Sequence, residues 1–175
     1  HTILKHGIKI ISNQVQYSLI DLRPAVKMAQ FCKDNNIWLF AYGTLCGGLL
    51  SEKYLGQSEP SHLEINTASL RKYKQMIDVW GGWNLFQDLL YTLSTIAQKH
   101  SVSIANVAVR YILDCSAVAG VIIGTRLSIA QHIADNIRVF NLSLDNDDLA
   151  EINSVLVRSR DLFSLIGDCG DEYRH

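Results

Sequence analysis

The chain has 175 residues and a formal net charge of −1, and 48% of its residues are hydrophobic. This composition is typical of a globular protein; it excludes a general attraction to nucleic acid or anionic membranes, and no apolar run reaches the roughly 20 residues that span a bilayer. The four cysteines are Cys32, Cys46, Cys115 and Cys169, and their spacing is not that of a zinc site or of a disulfide framework. We therefore expect no bound metal and a reduced, cytoplasmic environment.

Strand-like and helix-like segments alternate along the chain. Short apolar runs predict strands at 8–14, 37–41 and 118–123, and the unbroken run at 37–41 is typical of a parallel strand covered on both faces. Pro24 opens the first predicted helix. Further helices are predicted at 69–79 and 84–100 and after the caps Ser103 and Asp145, whereas 166–170 reads as a loop.

Polar or glycine-rich residues follow each predicted strand. Alternation of strands with helices implies a parallel sheet, whose ligands bind at the carboxyl ends of the strands. Gln14, Tyr42 and Gly124 all fall at predicted carboxyl ends. We therefore expect these three residues to share one rim of the sheet.

The segment after the third predicted strand suits an anion. Gly124 provides the turn and Ser128 the N-cap of a following helix, whose free N–H groups and dipole favour negative charge. Arg126 adds a planar fork that fits a phosphate monoester. The combination of a strand, a turn and a helix with one arginine is common. On this pattern alone, the chain could equally be an unrelated phosphate-binding α/β protein.

Three motifs occur in order: Asn-Gln-Val-Gln-Tyr-Ser at 13–18, Tyr-Gly-Thr-Leu-Cys-Gly-Gly at 42–48, and Gly-Thr-Arg at 124–126 followed by Asp-Asn at 135–136. Together they resemble the second half of the aldo-keto reductases, enzymes that use NADPH on a (β/α)8 TIM barrel. A complete barrel of this type has about 250 residues. The resemblance therefore implies a single partial domain over 1–175: roughly the last three strands of an incomplete barrel, with their helices.

The resemblance implies roles for residues around the nicotinamide. Gln14 would hold its carboxamide, and Tyr42 would stack on its ring. The plainer alternatives are a glutamine that satisfies backbone groups at a strand end and a tyrosine that packs in the core. The glycine loop would line the cofactor through Thr44, Leu45 and Gly47, and Cys46 within it is interpreted as a spectator thiol.

The resemblance also implies the rest of the cofactor site. Arg126, with Thr125 as hydroxyl donor, would bind the 2′-phosphate beside the turn at Gly124, which also lines the cofactor, so NADP is favoured over NAD. Around the adenine and ribose would lie Gln131, Asp135 and Asn136. This segment is about two residues longer than the commoner pattern, which leaves the exact phosphate partner open. A helix C-terminus with a left-handed asparagine is the competing interpretation of Asp135 and Asn136.

No catalytic residue is expected on this chain. In the family, an aspartate, a tyrosine, a lysine and a histidine of the first half act together, and we expect that half to precede this sequence. Asp168 and Tyr173 reproduce one family spacing, but they follow the last predicted helix without a lysine behind them, so the match is interpreted as coincidence. The chain alone should be inactive.

The function that the resemblance implies is NADPH-dependent reduction of aldehydes or ketones to alcohols, or the reverse, in a full-length parent. The substrate would be a small carbonyl or sugar-like compound, and the partner would be the missing N-terminal half or a second copy. A non-catalytic nucleotide-binding regulatory or interaction protein is the alternative. The aromatic residues that either wall a substrate pocket or belong to the core are Trp80, Trp83 and Phe86.

Overall fold

The computed structural model describes residues 2–125 and 132–171. It contains three strands, β1 (Ser12–Gln16), β2 (Trp38–Tyr42) and β3 (Val118–Ile122). In chain order, the α-helices of the described residues are α1 (Thr2–Lys5), α2 (Arg23–Val26), α3 (Met28–Asp34), α4 (Ala68–Trp80), α5 (Gly82–Lys99), α6 (Ile104–Leu113), α7 (Ile133–Ile137), α8 (Asn146–Leu156) and α9 (Leu162–Ile166). Short 3-10 turns lie at Cys46–Gly48, Glu52–Tyr54 and Arg138–Asn141.

The strands form one parallel sheet in the order β1-β2-β3, as predicted. Tyr42 pairs with Gln16 on one side and with Ile122 on the other, so these three residues lie at the same level of the sheet. The carboxyl ends of all three strands therefore share one edge. We call this edge the rim.

The boundaries predicted for the first strand are wrong at both ends. β1 begins at Ser12, and pairing with β2 carries it beyond Gln14 to Gln16. Gln14 is the middle residue of the strand and pairs with Phe40. The prediction that Gln14 stands at a carboxyl end is corrected accordingly, because the partner strand decides where the ladder stops.

The two faces of the sheet have different surroundings. Side chains alternate between faces along a strand, and Val15, Leu39 and Ala41 pack under α3 and α6 in a buried cluster. The other face carries Gln14, which is exposed, and apolar side chains with 54%, 38% and 44% exposure at Trp38, Phe40 and Ile122. We call these four residues the open face. The expectation that β2 is covered on both faces is wrong for the described residues, since Trp38 and Phe40 on its second face are 54% and 38% exposed.

A second, larger core lies among the helices. Its fully buried side chains include Phe86, Leu89 and Leu93 of α5, Ile104 of α6 and Ile152 of α8. The same cluster contains both tryptophans that sequence placed either in a pocket or in the core: Trp80 is 2% exposed and Trp83 is 7% exposed. They belong to the core, although Trp80 also borders a crevice of about 140 Å³ beside α9.

Several helix boundaries follow from local chemistry. The Ser103 hydroxyl accepts a hydrogen bond from the backbone N–H of Asn106, which confirms it as the cap of α6. Asp145 caps α8 in a reciprocal capping box with Asp148. The predicted first helix is divided at Lys27, where φ is −140°, into α2 and α3.

The tail contains one helix that the sequence analysis did not predict. Asp161 caps α9 by accepting a hydrogen bond from the backbone N–H of Phe163. Gly167, with φ of 99°, follows the helix and leads into the predicted loop. In the part of the chain that the structure describes, no helix has both the length and the apolar character for a membrane crossing.

Candidate functional site

The rim brings two of the three predicted strand-end residues to the same edge. Tyr42 is the last residue of β2, and Gly124 and Thr125 follow the end of β3 with exposed positions. Gln14 lies two residue pairs below the rim, on the face that it shares with Tyr42, because Gln14 pairs with Phe40 and Gln16 with Tyr42. Gln14 and Tyr42 therefore share one face of the sheet, and Gly124 and Thr125 follow the end of β3 at the rim. Arg126 and Gln131 lie outside the described residues.

The Tyr42 ring is partly covered by a cation that sequence analysis missed. The ammonium of Lys72, on α4, lies 5.8 Å from the ring centroid of Tyr42 and 5.8 Å from that of Tyr73. This distance is within the range of a cation–π contact. Lys72 therefore places positive charge beside the rim. A helix was predicted at 69–79, but nothing in the sequence indicated that its Lys72 would contact Tyr42.

The glycine loop after β2 turns tightly against α4. Gly43 has a φ of 69°, and a Cβ at this position would collide with the hydroxyl of Tyr73. Gly47 also has a positive φ, 68°, and is exposed. Two backbone N–H groups are used inside the loop, since that of Cys46 donates to Gly43 and that of Gly48 to Leu45. A glycine is required at position 43 because the backbone approaches the tyrosine so closely.

Thr44 is buried and binds the backbone at the end of β1. Its side chain is 1% exposed, and its hydroxyl donates a hydrogen bond of 2.9 Å to the backbone carbonyl of Tyr17. Leu45 packs against the larger core. Of the three loop residues expected to line the cofactor, Gly47 is thus the one whose position is exposed. Thr44 fixes the loop to the end of β1.

Cys46 has the properties of a spectator thiol. The side chain is fully buried, and burial raises the pKa of its thiol to about 12. A thiol with this pKa is protonated at neutral pH, whereas the thiolate is the nucleophilic form.

Asp135 and Asn136 lie within α7, and both are half-buried. Asp135 accepts a hydrogen bond of 2.6 Å from the hydroxyl of Ser103 and forms an ion pair of 3.5 Å with Arg138. The alternative of a left-handed Asn136 at a helix C-terminus is wrong, because the helix continues through it to Ile137. Asp135 joins α7 to the first turn of α6.

A buried charged network below the rim was also missed. The amide nitrogen of Gln16 donates to Asp21 at 2.7 Å, and the guanidinium of Arg23 binds the same carboxylate through Nε at 2.8 Å and Nη2 at 3.0 Å. All three side chains are at most 3% exposed. The available signal was an aspartate and an arginine two residues apart in the loop that follows the first strand.

One cluster has the donor atoms for a metal. His100, Asp145 and Asp148 bring ligand atoms within 4.8 Å of one another. The Lys99 ammonium, however, bonds Asp145 at 2.6 Å and Asp148 at 2.8 Å. These contacts connect the end of α5 to the start of α8, so we interpret the cluster as an ion-pair network.

Comparison with known proteins decides the family. The model of the aldo/keto reductase family matches residues 2–157. The chain belongs to the aldo/keto reductase family. Among the solved structures of this fold, the glycerol dehydrogenase AKR11B4 from Gluconobacter oxydans superposes with a TM-score of 0.70 at 18% identity, covering 90% of this chain and 45% of that one. The thermostable aldo-keto reductase Tm1743 gives a TM-score of 0.57 at 21% identity, covering 87% and 42%.

Curated relatives of this family member are longer proteins. Protein tas of Escherichia coli is 28% identical over 156 residues, which cover 89% of this chain and 42% of that protein. Flagellar radial spoke protein 5 of Chlamydomonas reinhardtii is 32% identical over 113 residues, which cover 63% and 21%. The chain spans less than half the length of the curated relatives that it matches.

Proposed function

We propose that the chain is the cofactor-binding, C-terminal part of an NADPH-dependent oxidoreductase that reduces a small aldehyde, ketone or sugar-like carbonyl compound. Family membership supports the oxidoreductase class. The observation that carries the cofactor assignment is the shared surface: Gln14 and Tyr42 on one face of the sheet, with Gly124 and Thr125 at its edge.

The side chains on this surface fit the parts of NADPH. The exposed amide of Gln14 has the donor and acceptor that a carboxamide requires. The half-buried ring of Tyr42 offers a face to a flat heterocycle, and Thr125 offers a hydroxyl to a phosphate. In this proposal, Arg126 binds the 2′-phosphate, and Gln131 and Asn136 border the adenine and ribose. Bound NADPH would supply the hydride.

Two of the expected cofactor residues have a different role in the proposal. Thr44 positions the loop through its bond to Tyr17. Asp135 binds Ser103 and Arg138. The contact with Ser103 holds α7, which carries Asn136, beside α6. A carboxylate here also disfavours a nearby phosphate, which supports placing the phosphate at Arg126 instead.

The exposed apolar side chains of the open face support the proposal that further protein covers them. Full burial of an exposed apolar side chain is favourable by roughly 1.5–3 kcal/mol, and covering Trp38, Phe40 and Ile122, which are 54%, 38% and 44% exposed, would gain the corresponding fraction of that free energy for each. In the described part of the chain, β1 and β3 form the edges of the sheet. We propose that a preceding half of a longer protein covers this face and completes a (β/α)8 barrel, and that this half supplies the proton donor. A second copy is the alternative partner.

Nucleotide titration tests the cofactor assignment. NADPH and NADH are titrated against the chain and against the Arg126→Ala and Arg126→Lys variants. A charge-assisted bond to a phosphate contributes about 1.5–3 kcal/mol, so Arg126→Ala should weaken NADPH about 10-fold to 100-fold and leave NADH unchanged. The NADPH affinity of the Arg126→Lys variant should lie between those of the wild-type chain and the Arg126→Ala variant. Equal loss for both nucleotides would contradict the assignment.

A non-catalytic interaction protein is a second candidate. The observation that favours it is the match to a protein named for the flagellar radial spoke. Carbonyl-dependent NADPH oxidation, measured on the full-length protein that contains the chain, separates the two. Turnover supports the reductase, whereas nucleotide binding without turnover supports the interaction protein.

A further inference from the structure

The first turns of α4 pack directly against the glycine loop that follows β2. Tyr73 is buried, and a Cβ at Gly43 would collide with its hydroxyl. A Cβ at Gly47 would lie 3.0 Å from the hydroxyl oxygen of Ser69. The absence of side chains at these two glycines lets the helix approach the loop so closely. α4 and the loop therefore pack as one unit, and the helix decides which of its side chains stand beside the rim.

Lys72 carries a positive charge from this unit to the ring of Tyr42. Its ammonium lies 5.8 Å from the centroid of that ring and 5.8 Å from the centroid of the Tyr73 ring. Lys72 follows Ser69 by three positions, so the two side chains are neighbours on the surface of α4. Lys72 is half-buried, whereas Gly47 beside Ser69 is exposed. A cation is therefore placed next to Tyr42, on the helix that borders the exposed part of the glycine loop.

We propose that the Lys72 ammonium binds the diphosphate of the nicotinamide cofactor, and that it does so for NADPH and NADH alike. The inference rests on the proposed function, in which the nicotinamide stacks on Tyr42. In either dinucleotide a single ribose separates the nicotinamide from the diphosphate, so a cation beside the stacking ring is within reach of that anion.

The chemistry of the segment suits an anion. Residues 65–77 include Arg71, Lys72 and Lys74 and no acidic residue. The lysine ammonium is a compact point charge on a flexible stem, so it can turn from the face of an aromatic ring to a phosphate oxygen. A diphosphate would thus exchange a cation–π contact of Lys72 for a stronger, charge-assisted hydrogen bond.

The role of Lys72 differs from the one proposed for Arg126. Arg126 follows β3 in the sequence, whereas Lys72 stands beside the last residue of β2, the neighbouring strand. The 2′-phosphate is present in NADPH alone, while the diphosphate is common to both nucleotides. Loss of the Lys72 charge should therefore weaken NADPH and NADH to the same extent. This equality distinguishes a diphosphate contact from a 2′-phosphate contact.

Calorimetric titration of matched variants tests the inference. NADPH, NADH and adenosine 2′-monophosphate, which lacks the diphosphate, are titrated against the wild-type chain, Lys72→Met, Lys72→Arg and Lys33→Met. Because a hydrogen bond to a charged group is lost, Lys72→Met should weaken NADPH and NADH about 10-fold each and leave adenosine 2′-monophosphate unchanged. Lys72→Arg keeps the charge and should retain most of the affinity. Lys33→Met removes an exposed lysine near the end of α3, before β2 begins and so toward the opposite edge of the sheet, and should change nothing.

Acetylation of the wild-type chain is a second test that needs no variant. The chain is treated with acetic anhydride, and the modified lysines are measured by mass mapping. NADPH should slow the modification of Lys72 several-fold and leave that of Lys33 unchanged. Adenosine 2′-monophosphate should protect neither lysine. Circular dichroism checks that the variants fold, and the acetylation result decides the matter if Lys72→Met does not.

The possible failures are distinguishable from one another. Wild-type binding of NADPH that Lys72→Met leaves unaffected would overturn the inference and leave the cofactor assignment standing. Tighter binding by Lys72→Met would also overturn it, because the ammonium would then compete with the nicotinamide for the Tyr42 ring. Weaker NADPH with NADH unchanged would place Lys72 at the 2′-phosphate and overturn the diphosphate role. A wild-type chain that binds neither nucleotide would overturn the proposed function, and this inference with it.

Discussion

The Arg23 guanidinium binds the Asp21 carboxylate through two hydrogen bonds, of 2.8 and 3.0 Å, and both side chains are buried. The same carboxylate accepts a third bond from Gln16, whose strand position is level with Tyr42. Arg23 in turn holds the backbone of the tail at Gly167. One buried ion pair thus connects β1, the loop after it, and the tail.

Breaking this ion pair from one side should destabilise the chain strongly. Arg23→Met leaves the Asp21 carboxylate buried without its cation, and such losses cost about 3–5 kcal/mol. The free energy of unfolding, measured by urea titration, should fall by that amount. The double variant Asp21→Leu with Arg23→Met removes both charges and should recover most of the loss. A double variant as unstable as the single one would contradict the interpretation.

Removing the Thr44 hydroxyl should affect stability. Thr44→Val keeps the shape of the side chain but leaves the carbonyl of Tyr17 without this donor, at a cost of about 1–3 kcal/mol. Thr44→Ser keeps the hydroxyl and should lose less. Urea unfolding of the two variants measures the difference. Equal stability of valine and serine variants would show that the bond contributes nothing.

Stability should fall in acid through the network at the start of α8. The Lys99 ammonium and the cap bonds lower the pKa of Asp145 from 3.8 to about 2. Because the folded pKa lies below the unfolded one, the stabilisation is fully present above about pH 4 and is lost as the pH falls toward 2. The thermal midpoint should therefore drop over this window. Asp145→Asn should flatten the drop, while Asp147→Asn, which keeps the Lys99 pair, should not.

Cys46 should not react while the chain is folded. Its thiol is buried and has a pKa of about 12, so iodoacetamide should modify it at neutral pH far more slowly than a free thiol. Labelling followed by mass mapping of the 34–53 peptide measures the rate. The same peptide in denaturant is the control and should label fully. Rapid labelling in the folded chain would mean that the thiol is an accessible nucleophile.

The features that sequence predicted correctly depend on local chemistry. Ser103 and Asp145 cap their helices through bonds to residues within three positions, so their role is visible without a partner. The parallel sheet follows from the alternation of strands and helices. Tyr42 and Gly124 were placed at the rim for the same reason, because the end of each strand is followed at once by a polar or glycine-rich turn.

The features that sequence did not predict depend on contacts between distant residues. Gln14 is inside β1 because β2 continues to pair with Val15 and Gln16. The Thr44 hydroxyl is used by Tyr17, 27 positions away, and Lys72 reaches Tyr42 from a helix after a long loop. Such partners have no fixed spacing along a chain. They decide which side chains of the candidate site remain accessible to a nucleotide.

The most direct measurement of the nucleotide surface compares NADPH with 2′-phospho-ADP-ribose, which lacks the nicotinamide, on wild-type protein and on Tyr42→Ala. Loss of a stacked ring costs about 0.5–1.5 kcal/mol, so Tyr42→Ala should weaken NADPH about 2-fold to 10-fold. Binding of 2′-phospho-ADP-ribose should not change. Equal weakening of both ligands, or no effect on either, would contradict a nicotinamide stacked on Tyr42 at the rim.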